Sequence, residues 1–188
     1  MDSKEAEAQL RLIEQAQARQ RAVGSRETGW FLLIWGLVWL VGFLTSQFAP
    51  ASWHIWVWLL LCGVGGGLSA VVGLRLGQQV QYTQTGPKLG LFYPVFLGFC
   101  LLWLFLVQPQ SWQETAVFAI SFLGFAVVLS GILLKVRSLI AAGLVGTALA
   151  VGIYLWFVAQ FGLVVGLVGG GGMIVAGLRF FIGGQRRE

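Results

Sequence analysis

One histidine, two cysteines and seven carboxylates are the whole stock of imidazole, thiol and carboxylate side chains in this chain of 188 residues. They do not gather. His54 and Glu114 flank two short polar connections, after the first and third apolar runs. A histidine titrates near pH 6.5, so these two either meet as a pH-sensitive pair or stand apart as ordinary surface groups. Cys62 and Cys100 fall near the middle of apolar runs. A cysteine there serves as a small buried apolar side chain more readily than as half of a redox pair. No Ser/His/Asp set, no metal-spaced Cys/His cluster and no phosphate loop can be assembled. Gly65-Gly66-Gly67 and the run Gly169 to Gly172 lie inside apolar stretches, which rules them out as nucleotide loops. No Asp, Glu, Lys, Arg or His falls mid-run, where proton relays and ion-coupled carriers place such groups. The sequence therefore points away from an enzyme and implies no catalytic residue, no cofactor and no metal.

The elements that hold these residues are hydrophobic. The chain is 57% hydrophobic and 10% charged, whereas a soluble domain carries about 25% charged residues. A bilayer core of about 30 Å takes about 20 apolar residues as a helix. Six runs meet that length: Gly29 to Phe48, Trp53 to Leu74, Leu89 to Val107, Thr115 to Leu134, Leu139 to Val158, and Phe161 to Ile182. The expected fold class is an all-α membrane protein with six transmembrane helices. Residues 1–28 form a cytosolic N-terminal segment, 29–182 the bundle and 183–188 a cytosolic tail. The first twenty-eight residues are too polar for the core of a signal peptide, and without Asn there is no glycosylation sequon.

Charge sets the orientation. The connections at 49–52, 108–114 and 159–160 hold no Lys or Arg. All twelve basic residues fall on the other side: Lys4, Arg11, Arg19, Arg21, Arg26, Arg75, Lys88, Lys135, Arg137, Arg179, Arg186 and Arg187. The positive-inside rule makes that side cytoplasmic and puts both termini inside. The net charge of +5 is thereby explained by span ends, with no need for nucleic acid as a partner. A weak repeat runs along the chain. Pro50-Ala51-Ser52-Trp53 answers Pro109-Gln110-Ser111-Trp112, and Gly73-Leu74-Arg75 answers Gly177-Leu178-Arg179. Spans 1–2, 3–4 and 5–6 then read as three helical hairpins.

Apolar helices in lipid associate by close backbone contact, which small residues permit. At four-residue spacing the candidate helix-packing residues are Gly65, Ser69 and Gly73; Ser138, Ala142, Gly146 and Ala150; and Gly162, Gly166 and Gly170. Gly169 to Gly172 read either as part of such a seam or as a broken segment lining a cavity. Pro94 should kink the third span. Trp53, Trp56, Trp58, Trp103, Trp112 and Trp156 gather toward one surface as an aromatic belt, while Trp35 and Trp39 lie too deep for one.

Residues 2–23 read as an amphipathic helix. Leu10, Leu12, Ile13, Ala16 and Val23 share a broad arc, diluted by Gln9, Gln17 and Gln20. It lies on the inner leaflet, pairs with a protein through Leu10 and Ile13 (another protein or a second copy), or is simply solvated.

The Gly-rich odd spans, the Pro in the short turn and the Gly followed by a base closing even spans resemble the HdeD-type family of bacterial inner-membrane proteins. The residues are Gly36, Gly42, Pro50, Gly73 and Arg75, then Gly98, Pro109, Gly131 and Lys135. The resemblance covers about residues 29–182. It implies six spans in three hairpins and a link to acid stress, and brings no catalytic residues. The N-terminal helix and the absence of a Pro in the third hairpin depart from that pattern. Two functions follow as expectations. One is a non-enzymatic, multi-pass protein of the bacterial inner membrane with a structural, stress-related or regulatory role. The other is a small permease or channel subunit for a neutral or apolar solute.

Overall fold

The computed structural model describes residues 28–77 and 85–185, and among these no strand occurs. The chain forms α1 (Thr28–Phe48), α2 (Ala51–Gly77), α3 (Thr85–Val107), α4 (Trp112–Leu133) and α5 (Arg137–Trp156). A 3-10 turn, Val158–Gln160, leads into a last span built of α6 (Phe161–Val164), a π segment (Val165–Gly170) and α7 (Gly171–Gln185). Among the described residues five helices are long and apolar enough to cross a membrane: Thr28–Phe48, Ala51–Leu74, Trp112–Leu133, Arg137–Trp156 and Val158–Ile182. The predicted span Leu89 to Val107 corresponds to a shorter apolar helix, Phe92–Val107, within α3. Pro94 lies inside α3, whose helix continues through it. The segment 1–27, with Leu10 and Ile13, lies outside the described residues, as does 186–188.

Local signals fix the turns. Ser111 is the N-cap of α4, its hydroxyl accepting from the Glu114 N–H at 3.1 Å. The Glu114 carboxylate turns back to accept from the Gln110 N–H at 2.8 Å. Both bonds take up donors at a helix start that has no intrahelical partners. α4 ends on Lys135 at φ 56°, with the Val136 N–H donating to the Gly131 carbonyl and the Lys135 N–H to that of Ile132. That is a Schellman closure with lysine where glycine is usual.

Neighbouring helices run antiparallel. α1 meets α2 through Trp35 with Ser69 and Ser46 with Trp58. α3 meets α4 through Tyr93 with Ser130 and Phe96 with Phe122 and Phe125. α4 and α5 pack along their length, Gly131 on Ile140 and Gly143 on Gly124 and Val128. α1 also packs along the last span, from Gly29 beside Gly177 to Gln47 beside Gly162. This brings the connections at 49–50, 108–111 and 157–160 to one end, the turn end. Lys135, Arg137 and Arg179 come to the other, the basic end. The buried core sits toward the turn end, where Phe43, Ile120, Ala150, Phe161 and Val165 meet. Phe161 is 0% exposed, edge-on to Phe43, Trp112 and Tyr154. Most other large apolar side chains face outward, as a bilayer solvent requires.

Candidate functional site

The seam between α1 and the last span brings backbone against backbone, as the α4–α5 pair also does where Gly143 meets the Gly124 carbonyl. A Cβ at Gly170 would stand 2.6 Å from the Leu40 N and 2.8 Å from the Gly36 carbonyl oxygen. One at Gly36 would stand 2.8 Å from the Ile174 side chain, and one at Gly177 2.9 Å from the Gly29 carbonyl oxygen. At Gly162 it would stand 2.6 Å from the Phe43 carbonyl oxygen, and at Gly166 3.3 Å from the Phe43 Cβ. Two spacings operate here. On α1, and from the end of the π segment into α7, the contacting glycines are seven apart, Gly29 to Gly36 and Gly170 to Gly177, as in a long left-handed pair. Upstream they are four apart, Gly162, Gly166 and Gly170. In an α-helix residues four apart drift by about 40° per step. The π segment, with its wider i to i+5 turn, reduces that drift and keeps all three glycines against α1.

The candidate packing residues divide. Gly162, Gly166 and Gly170 lie on the α1 seam. Gly65 faces α1 too, its Cβ position 2.9 Å from the Val38 side chain, and Ser69 accepts a hydrogen bond from the Trp35 indole at 3.1 Å. Gly73 and Gly146 have open space where a Cβ would go, and Ala142 is exposed while Ala150 is buried. The contacts of the α4–α5 pair fall instead on Gly124 against Thr147, Gly131 and Gly143. Gly124 and Gly131 are again seven apart, a signal present in the sequence but outside a search at four-residue spacing. Within Gly169 to Gly172, Gly169 meets Trp39 and Gly170 meets Leu40, while Gly171 and Gly172 face open space.

The polar groups of the turn end are engaged in closing it. Gln47 of α1 donates from Nε2 to the Ala159 carbonyl and accepts at Oε1 from the Gly162 N–H, both at 2.9 Å. The Gly162 N–H is one of the donors left over at a helix start, so α1 caps the last span across the seam. Glu114 accepts from the Tyr154 hydroxyl at 3.4 Å, tying α4 to α5. His54 Nε2 is 3.2 Å from the Ala49 carbonyl oxygen, and its ring stands edge-on to Trp112 at 5.9 Å. His54 and Glu114 are thus each held by other groups.

Trp58 and Trp112 belong to the core cluster, whereas Trp53, Trp56 and Trp156 are exposed. The deep Trp35 bonds Ser69, and Trp39 stacks edge-on to Phe43. Cys62 is exposed and Cys100 buried, and both are free thiols. Among the described residues no three His, Cys, Asp or Glu side chains gather to hold a metal. The arrangement is suited to holding helices together. Compared with known proteins, the chain matches no family model, no curated protein and no solved structure.

Proposed function

We propose that this is a non-enzymatic integral membrane protein of the bacterial inner membrane, with a structural, stress-related or regulatory role. It crosses the bilayer six times as three hairpins, the third crossing made by α3, and its basic end lies in the cytoplasm. The segment 1–28 presents Leu10 and Ile13 to a protein partner or a second copy. The HdeD-type resemblance is the family proposal that accompanies this reading.

The observation that supports it is the filled core at the turn end of the bundle. Where α1, α2, α4, α5 and the last span meet, the space is taken by Phe43, Ile120, Ala150, Phe161 and Val165, with Trp58, Trp112 and Tyr154 around them. The buried hydroxyl beside this core is bonded within the protein: Ser46 accepts from the Trp58 indole. The alternative, a small permease or channel subunit for a neutral or apolar solute, would be favoured by a water-accessible path at this level. The test is thiol accessibility in vesicles: Ala150→Cys should resist a membrane-impermeant maleimide, and Trp156→Cys, exposed at the turn end, should react. Rapid labelling at residue 150 would favour the permease reading instead.

A further inference from the structure

A shallow, open depression of about 410 Å³ lies along one face of α7, lined by Gly172, Val175, Ala176, Arg179 and Phe180. These residues recur at helical spacing and form one face of α7. The opposite face, through Ile174, Gly177 and Phe181, is the one packed on α1. Gly172 has nothing within 4 Å of its Cβ position, so the floor of the groove is low there. Arg179 is exposed at the basic end and has no hydrogen bond or ion pair to any described residue. From Arg179 to Gly172 the groove descends about 10 Å along the helix, from headgroup depth into the acyl region. An apolar trough topped by an exposed guanidinium is complementary to an anionic amphiphile. A basic side chain at the membrane surface attracts an anionic headgroup as a point charge, whether it is Arg or Lys.

We propose that this groove holds one anionic phospholipid, its phosphate on Arg179 and one acyl chain along Val175, Ala176 and Gly172. The proposal rests on the membrane-crossing reading of the last span, and it holds whichever leaflet the basic end faces. The test uses the full chain in mild detergent with dioleoylphosphatidylglycerol or dioleoylphosphatidylcholine added, and counts retained lipid by native mass spectrometry. The wild type should keep one phosphatidylglycerol in preference to phosphatidylcholine. Arg179→Gln should weaken that retention about fivefold, and Arg179→Lys should keep most of it. Ala176→Trp, which fills the trough, should weaken retention of both lipids. Arg137→Gln, at the same end but on α5, should change nothing. Equal losses in Arg137→Gln and Arg179→Gln would mean diffuse surface attraction and overturn the proposal. So would unchanged retention in Arg179→Gln, or weak retention by Arg179→Lys with a native melting curve. A C-terminal topology reporter reading outside would refute the orientation while leaving the retention result intact.

Discussion

Replacing Gly170 by alanine tests the α1 seam with a single methyl group. The added Cβ would sit 2.6 Å from the Leu40 N, 2.8 Å from the Gly36 carbonyl oxygen and 2.9 Å from the Leu40 Cα. Ordinary contact between such atoms is about 3.5–4 Å, so the shortfall is about 1 Å. The obstructing atoms are backbone and cannot rotate aside. α1 and the last span must move apart, and the separation is shared along a seam that runs from Gly29 to Gln47. Overpacking of this kind costs about 1–3 kcal/mol. Alanine also has a better helix propensity than glycine, by about 1 kcal/mol in water, which would mask part of the cost. Gly146→Ala removes that ambiguity. It makes the same chemical change inside α5, where the Cβ meets nothing within 4 Å. The difference between the two variants isolates the clash, so Gly170→Ala should be less stable than Gly146→Ala by about 1–3 kcal/mol. Reversible unfolding in mixed micelles of rising sodium dodecyl sulfate fraction, followed by circular dichroism, measures it. Equal midpoints for the two variants would refute the seam.

Other outcomes follow from the same contacts. Gly166→Leu should destabilise the fold in detergent more than Gly166→Ala, because the Cβ position, 3.3 Å from the Phe43 Cβ, asks α1 to give slightly for alanine and much further for leucine; equal melting temperatures for the two variants would contradict this. Gln47→Leu removes both bonds that cap the last span from α1 and should cost about 1–3 kcal/mol, with faster amide exchange at Gly162 as its local signature. Removing residues 1–22 should leave insertion and the melting curve of the bundle intact while abolishing a protein contact; a cysteine at Leu10 that cross-links only to lipid, with complexes on native gels unchanged, would refute the partner role.

Much of the scaffold was legible in the sequence because the bilayer leaves few alternatives. A charge-free run must be helical once water is absent, and the ends of α1, α2, α4 and α5 fall within a few residues of the apolar runs that predict them. Ser111 and Lys135, too, mark the start and finish of α4 as polar residues at helix termini do. The pairing surfaces were less legible. Four-residue spacing marked Gly162, Gly166 and Gly170, which meet α1, and also Gly73 and Gly146, which face open space. Small residues serve equally as contact points and as lipid-facing surface, and a single helix carries nothing that distinguishes them. The seven-residue pairs Gly29 with Gly36 and Gly124 with Gly131 acquire meaning only once a neighbour runs alongside. Gln47 was hidden for a similar reason. Its partners, Ala159 and Gly162, are more than a hundred residues away, and nothing local distinguishes it from Gln108 or Gln110. The His54 and Glu114 pair failed on local competition: the Ala49 carbonyl, the Gln110 N–H and the Tyr154 hydroxyl are closer to hand.

The account turns on the direction in which the bundle is threaded, and topology reporters measure that directly. Alkaline phosphatase and green fluorescent protein fusions would be placed after Pro50, Gln84 and Gln110 and at the C-terminus. Six crossings with the basic end in the cytoplasm predict that fusions after Pro50 and Gln110 read outside and that those after Gln84 and at the C-terminus read inside. A C-terminal fusion reading outside, or one after Gln84 reading on the same side as one after Gln110, would contradict it.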